Sequence, residues 1–213
     1  MSDESLTSRG RMPKARHLLR PRPHPEQTFR SVTVDTVGWV RLHWPSKAIL
    51  FTRNPEHRFS PESGPFKVLY MGQDERTASL EVFGDRLYGA PPHLAVDIPG
   101  SEWLVREFSD IALPSRFNVA DMFSSAGLEA ARVDVTALAY DDLAVPQAWA
   151  ESVMTHSAGF HGMLYASRFT KKKCLALFEV TGDNAPVASA HPRLFAVSKA
   201  AGHLLATYNI RIT

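Results

Sequence analysis

HRFSPESGPFKVLYMGQDERTASLEVF, residues 57–83, is the stretch that decides the fold. Two prolines and a glycine keep its first part irregular, so we expect a loop there. The apolar run that follows predicts a short buried strand over residues 66–71, which Gly72 ends. Acidic side chains then open a helix, because negative charge complements the positive end of the helix dipole, and we expect this helix to stop at Gly84.

Three chemically different side chains fall on these three elements. Arg58 lies in the loop, Tyr70 near the end of the strand, and Glu81 in the helix amid apolar neighbours. A cation, an aromatic face and a carboxylate around one pocket suit an anionic ligand with an aromatic head group, such as a dinucleotide. The alternatives are that Glu81 is a solvated helix residue and that Tyr70 only fills the core.

Length and composition bound the class of protein. The chain has 213 residues, of which 44% are hydrophobic and 22% charged, as expected for one globular domain with a substantial core. The single cysteine, Cys174, excludes an internal disulfide framework and fits a reducing compartment. No apolar run approaches the roughly 20 residues that span a bilayer, and the N-terminus lacks the apolar centre of a secretory signal. We therefore expect a soluble cytoplasmic protein with no membrane partner.

The basic character of the chain is concentrated at its N-terminus. Residues 1–30 hold seven Lys or Arg against three Asp or Glu, with four prolines and few large apolar side chains. This composition predicts a mobile leader, followed by a single domain over residues 31–213. The alternative is an electrostatic arm for nucleic acid or a partner protein. Direct nucleic-acid binding is the less favoured interpretation, because aromatic side chains are not interleaved with the basic ones.

The remaining hydrophobic patterns predict more strands than helices. One helix is expected from Pro146 to His156, with proline in its first turn. Strands are expected over residues 37–44, 47–51, 93–98, 102–108, 162–167, 174–180 and 203–210. Because strands predominate and do not alternate regularly with helices, we predict a mixed, strand-rich α+β fold.

Several common catalytic and cofactor motifs are absent from the sequence. There is no P-loop, no G-x-G-x-x-G fingerprint and no G-x-S-x-G nucleophile motif. His156 and His161 are five residues apart across Gly159, and Cys174 has no histidine at ligand spacing. We therefore expect neither a metal site nor a bound cofactor.

Five residues stand in an order that resembles the RES-domain family, which is named for its arginine, glutamate and serine. The resemblance runs from about Trp39 to Val180. In the loop, where the family is close to G-G-R-W-N, this chain has E-H-R-F-S. The residues are Arg41 in V-R-L-H, Arg58 in H-R-F-S-P, Tyr70 and Glu81 in L-Y-M-G-x6-S-L-E-V, and Ser167 in G-x-L-Y-A-S-R before C-L-A-L-F-E-V.

The resemblance implies a fold related to the ADP-ribosyltransferase toxins and an activity that degrades NAD⁺. Members of the family cleave the nicotinamide–ribose bond by hydrolysis or by phosphorolysis, so NAD⁺ would be a substrate and inorganic phosphate a co-substrate in the second case. Many are toxins of bacterial toxin–antitoxin pairs with an Xre-type antitoxin. Homo-oligomers and toxin–antitoxin hetero-oligomers are both compatible with the sequence.

The resemblance also implies a role for each residue, and the residue types suit those roles. Arg41 and Arg58 would bind the diphosphate through planar donors, and Tyr70 would stack on nicotinamide. Glu81 would stabilise the positive charge that develops on the ribose, and Ser167 would hydrogen-bond the ribose or phosphate. Arg41 pairing with a structural acid is the alternative for that residue. Two other functions stay open: ADP-ribosyl transfer to a protein or nucleotide, and a non-enzymatic regulatory module that uses the basic arm.

Overall fold

A computed structural model describes most of the chain as eleven strands and six helices. Within the described ranges the strands are β1 (Ser31–Thr33), β2 (Trp39–His43), β3 (Val68–Gly72), β4 (Val96–Ile98), β5 (Glu107–Ala112), β6 (Asn118–Met122), β7 (Gly162–Ala166), β8 (Lys173–Phe178), β9 (Val187–Ala188), β10 (Arg193–Leu194) and β11 (Ile210–Ile212). The helices are α1 (Glu75–Gly89), α2 (Gly100–Trp103), α3 (Ser125–Ala130), α4 (Val135–Leu138), α5 (Ala144–Met154) and α6 (Lys199–Thr207). The residues described are Pro23 and residues 26–60, 66–114, 117–139, 142–179 and 185–213.

One large mixed sheet organises the fold. Among the described residues nine strands form this sheet, in the order β1-β6-β7-β8-β3-β2-β5-β10, with β9 also pairing with β5. Only the β6–β7 pair is parallel within it, and β4 and β11 form a separate parallel pair. The sequence prediction of a strand-rich mixed fold is confirmed.

The large sheet opens between β2 and β3. Strand β3 pairs with β8 at five positions and β2 pairs with β5 at five, but β2 and β3 pair only through Val40 and Gly72. The two strands diverge beyond that pair, and an isolated bridge from Thr52 to Val68 occupies the far end of β3. We call this gap between the two strands the β2–β3 cleft.

Helix α1 begins where the sequence predicts and continues beyond the predicted end. The Asp74 side chain accepts a hydrogen bond from the Thr77 N–H at 2.8 Å, which caps the first turn. The helix passes through Gly84 and ends at Gly89, so the predicted stop at Gly84 is wrong. Gly84 is instead a contact point: a Cβ there would lie 2.5 Å from the Phe169 ring.

The last predicted strand, residues 203–210, is mostly helix α6. Ser198 caps that helix by accepting a hydrogen bond from the Ala201 N–H at 3.1 Å. One face of the helix is buried, through Ala200, Ala201 and Leu204. The sequence prediction was wrong here because it assumed the two-residue repeat of a strand for this apolar run.

Two other predicted strands are partly or wholly wrong. The start of residues 102–108 lies in α2, and β5 begins only at Glu107. Residues 47–51 contain a turn and no strand, because the Leu50 N–H bonds back to the Lys47 carbonyl at 3.3 Å. The strands predicted over residues 37–44, 66–71, 162–167 and 174–180 are found as β2, β3, β7 and β8, and that over 93–98 is found at its end as β4.

Most of the predicted leader lies outside the described residues, but its last residues contact the domain. The Phe29 ring packs edge-on against Trp149 at 6.2 Å and against Phe160 at 6.0 Å between centroids. The Arg30 carbonyl accepts a hydrogen bond from the Asp121 N–H at 2.8 Å. Packing of the domain therefore begins before residue 31.

The described residues contain neither a membrane-spanning helix nor a group of potential metal ligands. No helix there is long and apolar enough to cross a bilayer. Nor does that part of the chain bring three His, Cys, Asp or Glu side chains together as potential metal ligands.

Candidate active site

The carboxylate of Glu81 is held by two hydrogen bonds from strand β7 and the residue after it. Its Oε1 accepts from the Ser167 hydroxyl at 2.8 Å, and its Oε2 accepts from the Tyr165 hydroxyl at 3.1 Å. Residues two apart on an extended strand point to the same face, which is why both donors reach one carboxylate. The two bonds fix the plane of the carboxylate as well as its position.

Ser167 uses its whole hydrogen-bonding capacity inside the protein. Its Oγ accepts from the backbone N–H groups of Phe169 and Thr170, each at 3.3 Å, and its only proton goes to Glu81. The residue is fully buried. The structure therefore shows Ser167 as a donor that orients Glu81, and the hydrogen bond to the ribose or phosphate that the resemblance implies stays a prediction.

Tyr165 is a site residue that the sequence reading missed. It is buried, and burial together with the negative charge of Glu81 raises its pKa well above the ordinary value, so the hydroxyl keeps its proton and can donate it. The signal was present in G-x-L-Y-A-S-R, because period two puts Tyr165 on the face of Ser167. Burial, and after it the negative charge of Glu81, raise the pKa of the neighbouring Cys174 thiol, which favours its protonated form.

Tyr70 combines a fixed hydroxyl with a partly exposed ring. Its Oη accepts a hydrogen bond from the Phe59 N–H at 3.0 Å, and its ring lies 6.4 Å from the Phe59 ring at an interplanar angle of 24°. The His57 ring meets it edge-on at 5.7 Å. Burial raises the pKa of the Tyr70 hydroxyl above its ordinary value, so this group stays neutral and anchors the loop.

Two arginines lie within electrostatic range of Glu81. Burial lowers the pKa of Arg168, the positive charge of Arg58 lowers it further, and the negative charge of Glu81 opposes both. Arg168 also forms an ion pair with Asp85, one helical turn after Glu81 on α1. The structure therefore places Arg168 next to the predicted site residues.

Arg41 lies on strand β2, beside the β2–β3 cleft. Its Nη1 is buried and has no hydrogen-bond partner among the described residues, and burial lowers its pKa to about 10. The pKa of His57 is lowered mainly by burial. The negative charge of Glu56 opposes this shift, and the positive charge of Arg41 adds to it. Buried polar groups are normally hydrogen-bonded, so this donor is suited to a ligand.

The predicted residues thus fall into two groups. Glu81 and Ser167 are hydrogen-bonded to each other at the end of β7, and the charges of Glu81 and Arg58 both act on the Tyr70 hydroxyl. The charge of Arg41 acts on His57, whose ring meets that of Tyr70. In the described part of the chain, no hydrogen bond joins Arg41 to Glu81. A ligand that contacts both groups would be extended, with an anionic part at the arginines and a cationic or polar part at the carboxylate.

The chain matches a family model and resembles solved structures. The family model of the RES domain matches residues 19–197, a wider span than the resemblance that we read from residues 39–180. A chain in the crystal structure of the M. tuberculosis MbcT–MbcA toxin–antitoxin complex has a TM-score of 0.57 at 15% identity, covering 85% of this chain and 92% of that one. At that identity the likeness shows the fold alone. No curated protein matches the sequence.

Proposed function

Because the chain belongs to the RES-domain family, we propose that it degrades NAD⁺ by cleaving the bond between nicotinamide and ribose. The observation that carries the proposal is the Glu81 carboxylate, fixed by Ser167 and Tyr165 and accompanied by arginines. This combination suits a substrate whose ribose becomes positively charged next to a diphosphate.

The reaction requires one bond to break and one to form. The nicotinamide nitrogen leaves with the electron pair of the C1′–N bond, which neutralises its own positive charge and leaves the ribose with oxocarbenium character. The fixed Glu81 carboxylate stabilises that developing charge without having to reorganise. Water, losing a proton, or inorganic phosphate then forms the new bond to C1′.

The arginines suit the diphosphate. A guanidinium offers planar N–H donors that match phosphate oxygens, and Arg41 presents one such buried donor that has no partner within the described residues. Arg58 supplies a second positive charge, and both it and Glu81 act on the Tyr70 hydroxyl. Together they would hold the diphosphate while the ribose lies against the carboxylate, so that binding energy positions the reacting bond.

Tyr70 suits the nicotinamide ring. Its hydroxyl is anchored to the loop while its ring remains partly exposed, so it offers a rigid aromatic face. Stacking there would place the nicotinamide next to the site of bond cleavage.

The same proposal extends to the biological setting. We infer a cytoplasmic toxin whose activity is blocked by an Xre-type antitoxin, in keeping with the toxin–antitoxin complex in which the similar fold was found. Co-expression with the product of an adjacent Xre-type gene should relieve growth inhibition and give a complex that co-purifies. Growth inhibition that persists despite such a complex would contradict this part.

The activity is tested by incubating the purified full chain with NAD⁺. Nicotinamide should be released, with ADP-ribose as co-product in phosphate-free buffer or a phosphorylated ADP-ribose when phosphate is required. With NAD⁺ labelled in its ADP-ribose half and a cell lysate, label on macromolecules would instead indicate ADP-ribosyl transfer. No release of nicotinamide under any of these conditions would exclude the proposed activity.

A further inference from the structure

The loop that carries Arg58 is tied to helix α5 by one side chain. Gln147 donates from Nε2 to the carbonyl of Pro55 at 2.8 Å and to the carbonyl of His57 at 3.1 Å. A side-chain amide nitrogen has two protons, and these two bonds use both. Gln147 is partly exposed, whereas Trp149 on the same helix is buried in the core, so the packing of α5 does not depend on Gln147.

A second anchor lies on the other side of Arg58. The Phe59 N–H donates to the Tyr70 hydroxyl at 3.0 Å, and the Phe59 ring is fully buried with its centroid 4.8 Å from that of Tyr165. The peptide group before Arg58 is therefore fixed to α5 by Gln147, and the peptide group after it is fixed to β3. Both anchors hold the backbone from which the guanidinium extends.

We propose that Gln147 is a positioning residue for Arg58, holding the loop so that the guanidinium meets the diphosphate of the substrate. This inference rests on the proposed function, because it assigns Arg58 to NAD⁺. An arginine on a loop that is already ordered loses less conformational freedom on binding than one on a loose loop. Gln147 therefore acts on substrate binding through Arg58 and does not touch the reacting atoms.

The decisive variant is Gln147→Glu, which keeps the shape of the side chain and removes its ability to donate. With the two bonds lost, KM for NAD⁺ should rise about tenfold while kcat changes less than about twofold. Glu151→Gln, an exposed position on the same helix, is the matched control and should leave both constants unchanged. Equal KM values for Gln147→Glu and the wild type would overturn the inference.

A double-mutant cycle separates positioning from a general structural role. Arg58→Ala alone should raise KM, and adding Gln147→Glu to it should have no further effect, because the group being positioned is gone. If the two substitutions instead multiply their effects on KM, Gln147 acts independently of Arg58 and the inference is wrong.

Hydrogen exchange tests the anchor without relying on activity. In Gln147→Glu, deuterium uptake should increase in a peptide covering residues 54–60 and stay unchanged in one covering β7. Unchanged uptake in the loop would overturn the inference even if NAD⁺ is cleaved. A wild-type protein that does not cleave NAD⁺ would instead overturn the proposed function, and with it the ligand assigned to Arg58.

Discussion

The Ser167 hydroxyl donates to Oε1 of Glu81 at 2.8 Å while two backbone N–H groups occupy its lone pairs. In this arrangement the Glu81 carboxylate is the acceptor for the single proton of the hydroxyl. The serine therefore orients the carboxylate, and in the proposed mechanism the catalytic role of Glu81 depends on that orientation.

Ser167→Ala should lower kcat for nicotinamide release by about a hundredfold, because a misplaced catalytic group can cost that much. KM should change little, because Ser167 is fully buried and gives its proton to Glu81. Steady-state kinetics measure both constants. Ser125→Ala, at an exposed position on α3, is the control and should behave as wild type. A fall in affinity with unchanged kcat would indicate that Ser167 binds the substrate instead.

Tyr165→Phe removes the second donor to Glu81 and keeps the ring that packs against Phe59 at 4.8 Å. A hydrogen bond to a charged group is stronger than one between neutral groups, so kcat should fall about tenfold. The thermal midpoint should stay close to that of wild type, because the aromatic packing is retained. Wild-type kcat in this variant would show that one donor is enough to orient the carboxylate.

Gly84→Ala places a methyl group 2.5 Å from the Phe169 ring, two residues after Ser167. The ring and the segment that carries it must move away from α1, so kcat should fall about tenfold as Ser167 is displaced from Glu81. Gly202→Ala in α6, where a Cβ meets nothing within 4 Å, is the matched control. It should stabilise the protein by about 0.5–1 kcal/mol through helix propensity alone and leave kcat unchanged.

Stability should decrease in mild acid through His43. Burial lowers its pKa from the ordinary 6.5, its contact with the Trp44 carbonyl opposes the shift, and Arg41 adds to it. The unfolded chain binds the proton first, so the stabilisation is complete above pH 6.5 and is lost as pH falls from there through the lowered pKa. Urea unfolding at pH 7.5 and 5.5 should show a smaller loss in His43→Asn than in wild type, and equal losses would exclude His43 as the cause.

The sequence predicted best those elements that depend on residues close together in the chain. Strand β3 and the N-terminal cap of α1 follow from apolar runs and from Asp74, which act over a few residues. The end of α1 could not be predicted, because Gly84 does not end the helix but lies within it, against the ring of Phe169, a residue far away in the sequence. Helix α6 was not predicted for a different reason. A short apolar run of two leucines and alanines fits both the two-residue repeat of a strand and the 3.6-residue repeat of a helix.

The candidate site was predictable to a similar extent. Arg58, Tyr70, Glu81 and Ser167 were predicted from order and residue type; the structure hydrogen-bonds Ser167 to Glu81 and lets the charges of Arg58 and Glu81 act on Tyr70, and the roles of these residues stay predictions. Tyr165 and Gln147 were not predicted, because their roles consist of hydrogen bonds to residues distant in sequence. Arg168 was not among the predicted site residues, because its ion pair with Asp85 depends on how the β7–β8 turn lies along α1.

The most direct test of the account is nicotinamide release by Glu81→Gln. The amide keeps the size of the side chain and removes the negative charge, so the rate should fall by about a hundredfold to a thousandfold, as when a main stabiliser of transition-state charge is lost. Glu129→Gln, an exposed glutamate on α3, controls for the change of residue and should retain the wild-type rate. A folded Glu81→Gln protein that releases nicotinamide within about twofold of the wild-type rate would contradict the role assigned to this carboxylate.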